Sequence, residues 1–271
     1  MITLASDFGT PYPAAMKGVV LRRSDARLVD VAHDFPRQDV RAAAFWCRET
    51  LPYFPPAVHL VVVDPGVGTD RDAVVVRAGQ HALVGPDNGV LLPAARRIAE
   101  RAAESDSDRD PTVECFVYDY ADPASSTFHG RDVFAPAAAE VHEAGVDAIE
   151  SLDPVSRVES FPAAGSPEAL VDCRFPEASI EGGVARGEVL VVDDFGNAVT
   201  NVPGSFLDGK AGSEIDVNGT AAPVVTAFAE VGDGERLVTV GSHGFVECDV
   251  NRGRGDEAFD LAPGDEVVLA D

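Results

Sequence analysis

The stretch VHLVVV, residues 58–63, is the most continuous strand signal in the chain, and it stops at Asp64. An uninterrupted apolar run suits a strand buried on both faces near the centre of a parallel sheet. Outward from it, short β-branched runs alternate with Ala-rich segments across residues 1–160. This alternation predicts an α/β domain with a central, mostly parallel sheet.

The same patterns place the elements of this domain. The predicted strands are 1–5, 26–31, 58–63, 73–77, 81–84 and 112–118, and the predicted helices are 14–23, 40–50, 93–103 and 133–144. Asp39 is the expected N-cap of the second helix, since a carboxylate there accepts a hydrogen bond from an unpaired amide of the first turn.

The second half of the chain has a different pattern. Periodicity fades after about residue 151, and a linker is predicted at 161–177. Short strand candidates then follow with almost no helical periodicity, separated by Gly, Asn and Asp turns: 188–192, 214–217, 221–229, 236–240, 245–250 and 266–270. They predict a smaller, all-β, barrel-like domain over residues 178–271.

The composition is strongly acidic. The 271 residues include 46 Asp and Glu against 21 Lys and Arg, and only Lys17 and Lys210 are lysine. A net charge of −25 repels phosphate backbones and anionic lipid, so neither nucleic acid nor a membrane is an expected partner. The acidic residues are spread along the chain, which favours a salt-rich cytosol and a halophilic archaeon as the source.

Cysteine usage and the N-terminus are also informative. Four widely spaced cysteines form no CxxC pair, so neither a disulfide framework nor a zinc site is expected. The stretch MITLASDFG has no basic segment, and no apolar run in the chain reaches eighteen residues. We therefore expect a soluble, cytoplasmic protein.

Four clusters of chemically capable residues fall where predicted strands end, which is where α/β sheets bind ligands. They are SDFG (6–9), DPGVGTDR (64–71), FHGRD (128–132) and DDFGNAVTN (193–201). Taken singly, each has an ordinary structural interpretation: a turn Asp, a structural ion pair, a satisfied histidine and a hairpin turn. Chemical interpretations are also available, since the Asp7 carboxylate could accept two hydrogen bonds from a vicinal diol. Likewise, the loop after Asp64 is long enough for Arg71 to fold back and pair with it.

Taken together, the clusters resemble one family. The runs SDFG, MKGVVL, VDPGVGT, GPDNGVL, FHGRDVFAPAAA, VVDDFGNAVTN and GSHGFVE resemble, in order and spacing from residue 2 to about 253, the S-adenosylmethionine hydroxide adenosyltransferases. These are relatives of the nucleophilic fluorinase and chlorinase. The resemblance implies a homotrimer of two-domain subunits, with active sites at subunit interfaces and no metal or additional cofactor. The implied reaction is attack of water at ribose C5′ of S-adenosyl-L-methionine, or of its R-sulfonium epimer, giving adenosine and L-methionine.

The resemblance also implies residue roles. Asp64, Arg71 and His129 correspond to the residues that handle water. The implied substrate contacts are Asp7, Phe8, Thr69, Gly130, Asp193, Phe195, Asn197, Ser242, His243 and Val250. Within that set, Asp7 grips the ribose diol, Phe195 and Asn197 contact adenine and sugar, and Asp193 and Ser242 lie near the methionine amino-acid group.

Departures from the family pattern affect the nucleophile and the methionine end. Gly130 stands where the fluorinase has a serine donor, and the Asp64 carboxylate stands where a halide would sit, so water is the better supported nucleophile. The loop 10–13 is about two residues short and lacks an Asp expected to contact the methionine ammonium, and His243 replaces an arginine. The alternatives are a chlorinase-like halogenase and a non-catalytic protein that binds S-adenosylmethionine or adenosine.

Overall fold

The chain divides into two units, Met1–Cys173 and Arg174–Asp271. The computed structural model describes residues 1–105, 112–120, 123–158 and 170–271. Most of the predicted linker, 161–169, lies outside the described residues. Within them, none of the helices is both long and apolar enough to span a bilayer.

The first unit is built on a seven-stranded mixed sheet. Its strands are β1 (Ile2–Ser6), β2 (Leu28–Ala32), β3 (Val58–Val62), β4 (Ala73–Ala78), β5 (His81–Pro86), β6 (Val113–Tyr118) and β7 (Val155–Arg157). Their order is β2-β1-β3-β5-β4-β6-β7. In this order the pairings from β2 to β5 are parallel, and the pairings from β5 to β7 are antiparallel. The predicted fold class is confirmed, and every residue of the VHLVVV strand β3 is buried.

Four helices accompany this sheet: α1 (Tyr12–Val20), α2 (Val40–Thr50), α3 (Leu92–Ser105) and α4 (Ala135–Ala144). The bounds predicted for α2 are confirmed, because the Asp39 side chain accepts a hydrogen bond from the Ala42 amide at 2.9 Å and fixes the start. The bounds predicted for α1 are wrong: it starts two residues earlier, with Pro13 in its first turn, where a missing N–H carries no penalty. A π-helical turn, Gly130–Phe134, leads into α4.

One large apolar cluster of this unit lies between α4 and the sheet. The alanines Ala135, Ala137, Ala138 and Ala139 are fully buried and pack with Leu60 of β3 in one apolar cluster. Small side chains let the helix approach the strands closely, and each buried leucine contributes roughly 1.5–3 kcal/mol. The packing holds the carboxyl end of β3, and so Asp64, in a fixed position.

The second unit is an eight-stranded, antiparallel sheet. Its strands are β8 (Ser179–Glu181), β9 (Val184–Val192), β10 (Ala198–Pro203), β11 (Glu214–Val217), β12 (Thr220–Pro223), β13 (Arg236–Val240), β14 (Phe245–Val250) and β15 (Glu266–Ala270). The order is β12-β11-β15-β9-β10-β14-β13, and β8 pairs with β9. A bridge between Val224, beside one edge strand, and Val238 in the other nearly closes the sheet. The expected barrel-like, all-β architecture is confirmed.

Local predictions for this unit were less accurate. The strand predicted at 221–229 ends at Pro223, and a short 3₁₀ turn, Phe228–Glu230, occupies its far end. The strands β8 and β10 and the one-turn helix α5 (Gly255–Phe259) were not predicted. Within β10, the polar Thr200 and Asn201 are buried, which hides its apolar alternation.

Candidate active site

Asp64 follows β3 directly and is held from two sides. Its side chain is 5% exposed, and Arg71 Nε lies 3.3 Å from Asp64 Oδ1 in an ion pair. The Gly66 amide donates to the same oxygen at 3.1 Å. A side chain at Gly66 would bring its Cβ within 2.9 Å of the Arg71 guanidinium, so glycine leaves room for this pair. The pairing predicted from the loop length is therefore confirmed.

Further contacts hold the loop that carries Arg71. Arg71 Nη1 donates to the Asp87 carbonyl at 3.3 Å, and the Tyr120 hydroxyl donates to the Arg71 carbonyl at 3.2 Å. Thr69 Oγ1 donates to the Gly66 carbonyl at 2.7 Å, so its hydroxyl is engaged within the loop. The guanidinium is thus anchored independently of Asp64.

The electrostatics of Asp64 connect it with other predicted site residues. Burial raises the pKa of Asp64 above its ordinary value, and this is the largest effect. The charge of Arg71, the Gly66 amide and the charge of His129 oppose the rise in pKa, whereas the negative charge of Asp7 adds to it. Asp64 therefore lies within electrostatic reach of three other predicted site residues, and the four residues come from three separate motifs.

His129 immediately precedes the π-helical turn and is 6% exposed. Its ring stands edge-on to Tyr120, with centroids 6.0 Å apart. The same tyrosine donates a hydrogen bond to the Arg71 carbonyl, so it contacts two of the three residues predicted to handle water. Tyr120 was not among the predicted site residues; its only sequence signal is an aromatic residue just after a strand.

Asp7 follows β1, next to β3 in the sheet. It is 8% exposed, and its Oδ2 accepts a hydrogen bond from the Gln38 amide at 2.7 Å. Because β1 and β3 are parallel, their carboxyl ends bring Asp7 and Asp64 to the same edge. Gln38, 31 residues further along the chain, is a second residue that sequence reasoning missed.

Phe8 belongs to an aromatic cluster at this edge. Its ring lies 5.7 Å from Phe128 and 6.3 Å from Tyr12, centroid to centroid. A Cβ on Gly130 would lie 2.9 Å from Met16 Sδ and 3.1 Å from a Phe8 ring carbon, both tighter than ordinary contacts. A side chain at position 130 would therefore require Met16 and Phe8 to shift.

In the second unit, Asp193, Phe195 and Asn197 form one hairpin turn between β9 and β10. Asp193 Oδ1 accepts from the Phe195 and Asn197 amides, each at 2.9 Å, and Oδ2 accepts from Asn197 Nδ2 at 3.0 Å. Asp193 thus holds the turn together. Phe195 is left 79% exposed, the largest exposed fraction among the large apolar side chains of the described residues.

The remaining predicted contacts lie elsewhere on this unit. Ser242 is exposed in the turn between β13 and β14, and His243 Nδ1 lies 3.2 Å from Glu247 Oε1. Since β10 and β14 are antiparallel, this turn is at the opposite end of the strand pair from Asn197. The six residues of β10 span roughly 20 Å. Val250 is buried at the Asn197 end.

Metal ligation finds no support in the described part of the chain. Across 1–105, 112–120, 123–158 and 170–271, no group of three or more His, Cys, Asp and Glu side chains is arranged to hold a metal ion. All four cysteines are free.

These features define a class: a two-unit protein whose α/β unit carries a carboxylate, a guanidinium and an imidazole at the carboxyl edge of its sheet. The SAM hydroxide adenosyltransferase N-terminal domain profile matches residues 2–152, and the corresponding C-terminal domain profile matches residues 187–268. The chain belongs to the SAM hydroxide adenosyltransferase family.

Individual relatives agree with this assignment. The chain is 41% identical over 268 residues to the (R)-S-adenosyl-L-methionine hydrolase of Thermus thermophilus, covering 97% of each protein. It is 39% identical over 270 residues to the hydrolase of the same name from Salinispora tropica, covering 98% of this chain and 96% of the relative. A crystal structure of an uncharacterized conserved protein from Thermotoga maritima superposes with a TM-score of 0.78 at 30% identity, over the full length of both chains.

Proposed function

We propose that this protein hydrolyses (R)-S-adenosyl-L-methionine to adenosine and L-methionine by attack of water at ribose C5′. The observation that carries the proposal is the buried Asp64 carboxylate, paired with Arg71 and within electrostatic reach of His129 and Asp7. The names of the two relatives specify hydrolysis of the same substrate by those proteins.

Water needs a base in this reaction. With a pKa of about 15.7 it is a weak nucleophile at neutral pH, and it must lose a proton as it attacks. Burial raises the pKa of Asp64 and makes it a stronger base, while Arg71 keeps the carboxylate ionised and oriented. Asp64 takes the proton from water, directly or through His129.

The leaving group needs little stabilisation by the protein. A sulfonium departs as a neutral thioether, so positive charge disappears and no oxyanion forms. The rate gain then comes mainly from holding water and C5′ in line, and placement of this kind is worth roughly 7–11 kcal/mol. In this scheme Asp7 grips the ribose diol, and the reaction requires no metal or cofactor; treatment with EDTA should leave the rate unchanged.

Water is the proposed nucleophile, rather than chloride. A halide site needs neutral donors away from negative charge, whereas Asp64 supplies a carboxylate and Gly130 has no side chain to donate a hydrogen bond. Hydrolysis in isotopically labelled water should place the label in the 5′-hydroxyl of adenosine. A chloride-dependent halogenated nucleoside would instead identify a halogenase, and binding without turnover would identify a sensor.

We also propose a homotrimer in which each site joins the 1–173 unit of one subunit to the 174–271 unit of a neighbour. The exposure of Phe195 supports this arrangement, because an aromatic ring left open to water is available to stack on a ligand held by another subunit. Light scattering should give a trimeric mass.

Subunit mixing tests whether the sites are shared. Asp64→Asn and Phe195→Ala damage different halves of the proposed site. If sites are shared, trimers reassembled from equal amounts of both variants contain about a quarter intact sites, and activity at low substrate concentration rises to match. Activity equal to the mean of the two parent variants would mean that each site lies within one subunit.

The acidity of the chain suggests its working medium. We propose a cytoplasmic enzyme of a halophile, because molar salt shortens the screening length to about 3 Å and relieves repulsion among 46 acidic residues. Thermal unfolding in rising potassium chloride should show a large increase in melting temperature. A melting temperature that does not rise in molar salt would contradict the halophilic origin.

A further inference from the structure

His33 bonds both flanks of the turn that carries Asp7. The residue follows β2, and its Nδ1 lies 2.8 Å from the hydroxyl of Ser6, the last residue of β1. Its main-chain carbonyl accepts a hydrogen bond from the Gly9 amide at 2.6 Å. Asp7 lies between these two attachment points, so His33 constrains the turn both before and after the carboxylate.

The partner of His33 Nε2 determines which group donates in the hydrogen bond between His33 Nδ1 and Ser6. His33 Nε2 lies 2.9 Å from Asp30 Oδ1, and Lys17 Nζ donates to Asp30 Oδ2 at 2.5 Å. A carboxylate ion-paired with lysine only accepts hydrogen bonds, so Nε2 carries the proton. In that tautomer Nδ1 is an acceptor and receives the Ser6 hydroxyl.

Burial increases along this chain of bonds from Asp30 through His33 to Ser6. Lys17 and Asp30 are partly exposed, the His33 side chain is 16% exposed, and Ser6 is fully buried. Exposed ion pairs contribute little, whereas a buried hydroxyl that loses its partner carries a real penalty. The Ser6–His33 bond is therefore the energetically important link.

The same segment also contacts the carboxylate itself. The main-chain amide of Gln38 donates to Asp7 Oδ2 at 2.7 Å, and Gln38 itself adopts a left-handed φ of +63°. The segment 33–38 thus makes two kinds of contact: His33 holds the turn that carries Asp7, and Gln38 holds one oxygen of the Asp7 carboxylate.

The geometry points to His33 as a positioning residue for Asp7. Acting through Ser6 and Gly9, it sets the direction in which the Asp7 carboxylate faces a ligand carrying a vicinal diol. This inference rests on the proposed function, in which Asp7 grips the ribose. His33 itself does not contact the substrate.

Two amide substitutions separate the two ends of the ring. His33→Asn places an oxygen near the position of Nδ1 and keeps an acceptor for Ser6, whereas His33→Gln places its amide near Nε2 and keeps only the Asp30 end. Binding of adenosine and of 2′,3′-dideoxyadenosine, which lacks the diol, is measured by calorimetry on the intact protein. His33→Gln should reduce the preference for adenosine about tenfold, and His33→Asn should retain it. With S-adenosylmethionine, His33→Gln should raise KM more than it lowers kcat.

Ser6→Ala removes the same hydrogen bond without altering the ring, so it should reproduce the effect of His33→Gln. The test therefore remains decisive if His33→Gln folds poorly. An unchanged preference for adenosine in both His33→Gln and Ser6→Ala would overturn the role of His33. A wild-type protein that binds both nucleosides equally would contradict the ribose grip by Asp7, and the positioning role with it. The hydrolysis assay tests the proposed reaction separately from both.

Discussion

Asp64 and Asp249 are buried carboxyl groups, one in each unit, and they differ in the donors around them. Asp64, in the first unit, accepts from the Gly66 amide and is paired with Arg71. Asp249, in the second unit, is 0% exposed, and neither of its oxygens has a hydrogen-bond partner among the described residues. Burial, with the neighbouring charges of Glu247 and Asp193, raises the pKa of Asp249 to about 8.

The difference shows what burial alone does to a carboxyl group. Without donors, the group escapes the desolvation penalty by taking up a proton. With a guanidinium and an amide beside it, the same group is stabilised as an anion, and these donors oppose the rise in pKa that burial causes. In this protein, the donors distinguish the carboxylate proposed as the base from one that is only buried.

The largest expected effect comes from replacing Asp64, the buried carboxylate that has donors. Asp64→Asn removes the proposed base but keeps the size of the side chain, and kcat should fall by about 10²–10⁴-fold. The assay is adenosine formation followed by chromatography. Asp70→Asn, an equal charge change at an exposed position of the same loop, is the control and should retain nearly full activity. Equal kcat values for Asp64→Asn and wild type would remove the basis for assigning Asp64 as base.

The next largest effect is on the free energy of unfolding and concerns Asp249, the carboxyl group without donors. Between pH 4 and pH 8 the native state holds a proton on Asp249 that the unfolded state, with an ordinary Asp pKa near 3.8, releases. The Asp249 contribution to stability therefore falls as pH rises through this window. Asp249→Asn removes the titration and should raise the free energy of unfolding by about 2 kcal/mol at pH 8, with less gain at pH 5.

Urea unfolding of wild type and variant at both pH values measures this difference. A variant less stable than wild type at pH 8 would show that Asp249 has a stabilising partner. Glu235→Gln, at an exposed position of the same unit, should change stability little at either pH.

A third prediction compares how the units present their ligand contacts. Phe195 is 79% exposed, so Phe195→Ala should leave the melting temperature nearly unchanged. If the ring stacks on adenine, KM should rise about tenfold, as expected when stacking on a base is lost. Phe228→Ala, another partly exposed phenylalanine of the second unit, is the control and should leave KM unaltered. An unchanged KM for Phe195→Ala would exclude this stacking.

The smallest effect is at the opposite end of the first sheet, where Thr3, His59 and His81 form a buried chain of hydrogen bonds. Burial, with the charge of His81 nearby, lowers the pKa of His59 to about 3. Below pH 6.5 His59 binds a proton in the unfolded state but not in the native state. The contribution of His59 to the free energy of unfolding therefore falls as pH drops from about 6.5 towards 3.

Urea unfolding at pH 6.5 and 5.5 measures this loss, which should be about 1 kcal/mol for wild type and smaller for His59→Gln. Thr3→Val removes a hydrogen-bond partner but keeps both rings, so it should retain the wild-type difference between the two pH values. An equal loss in His59→Gln and wild type would mean that His59 is not the group responsible.

Sequence reasoning succeeded where the signal is local. The N-cap at Asp39 fixes the start of α2 through a contact three residues away, and the loop from Asp64 to Arg71 is long enough for the two side chains to pair. It failed at β10, because buried Thr200 and Asn201 are satisfied by partners distant in sequence and mask the alternation of the strand.

The sequence by itself determined the two-unit architecture, the central strand β3 and the set of candidate site residues, because these depend on periodicity, turn chemistry and motif order. Only the tertiary structure decided which of these residues meet. Ser6 and His33 are 27 residues apart and bond because β1 and β2 pair in parallel. The donors of Asp64 and the isolation of Asp249 likewise depend on which strands and loops become neighbours. Sheet pairing is a long-range choice that local patterns do not encode, and in this protein it determines which buried carboxyl group is equipped for chemistry.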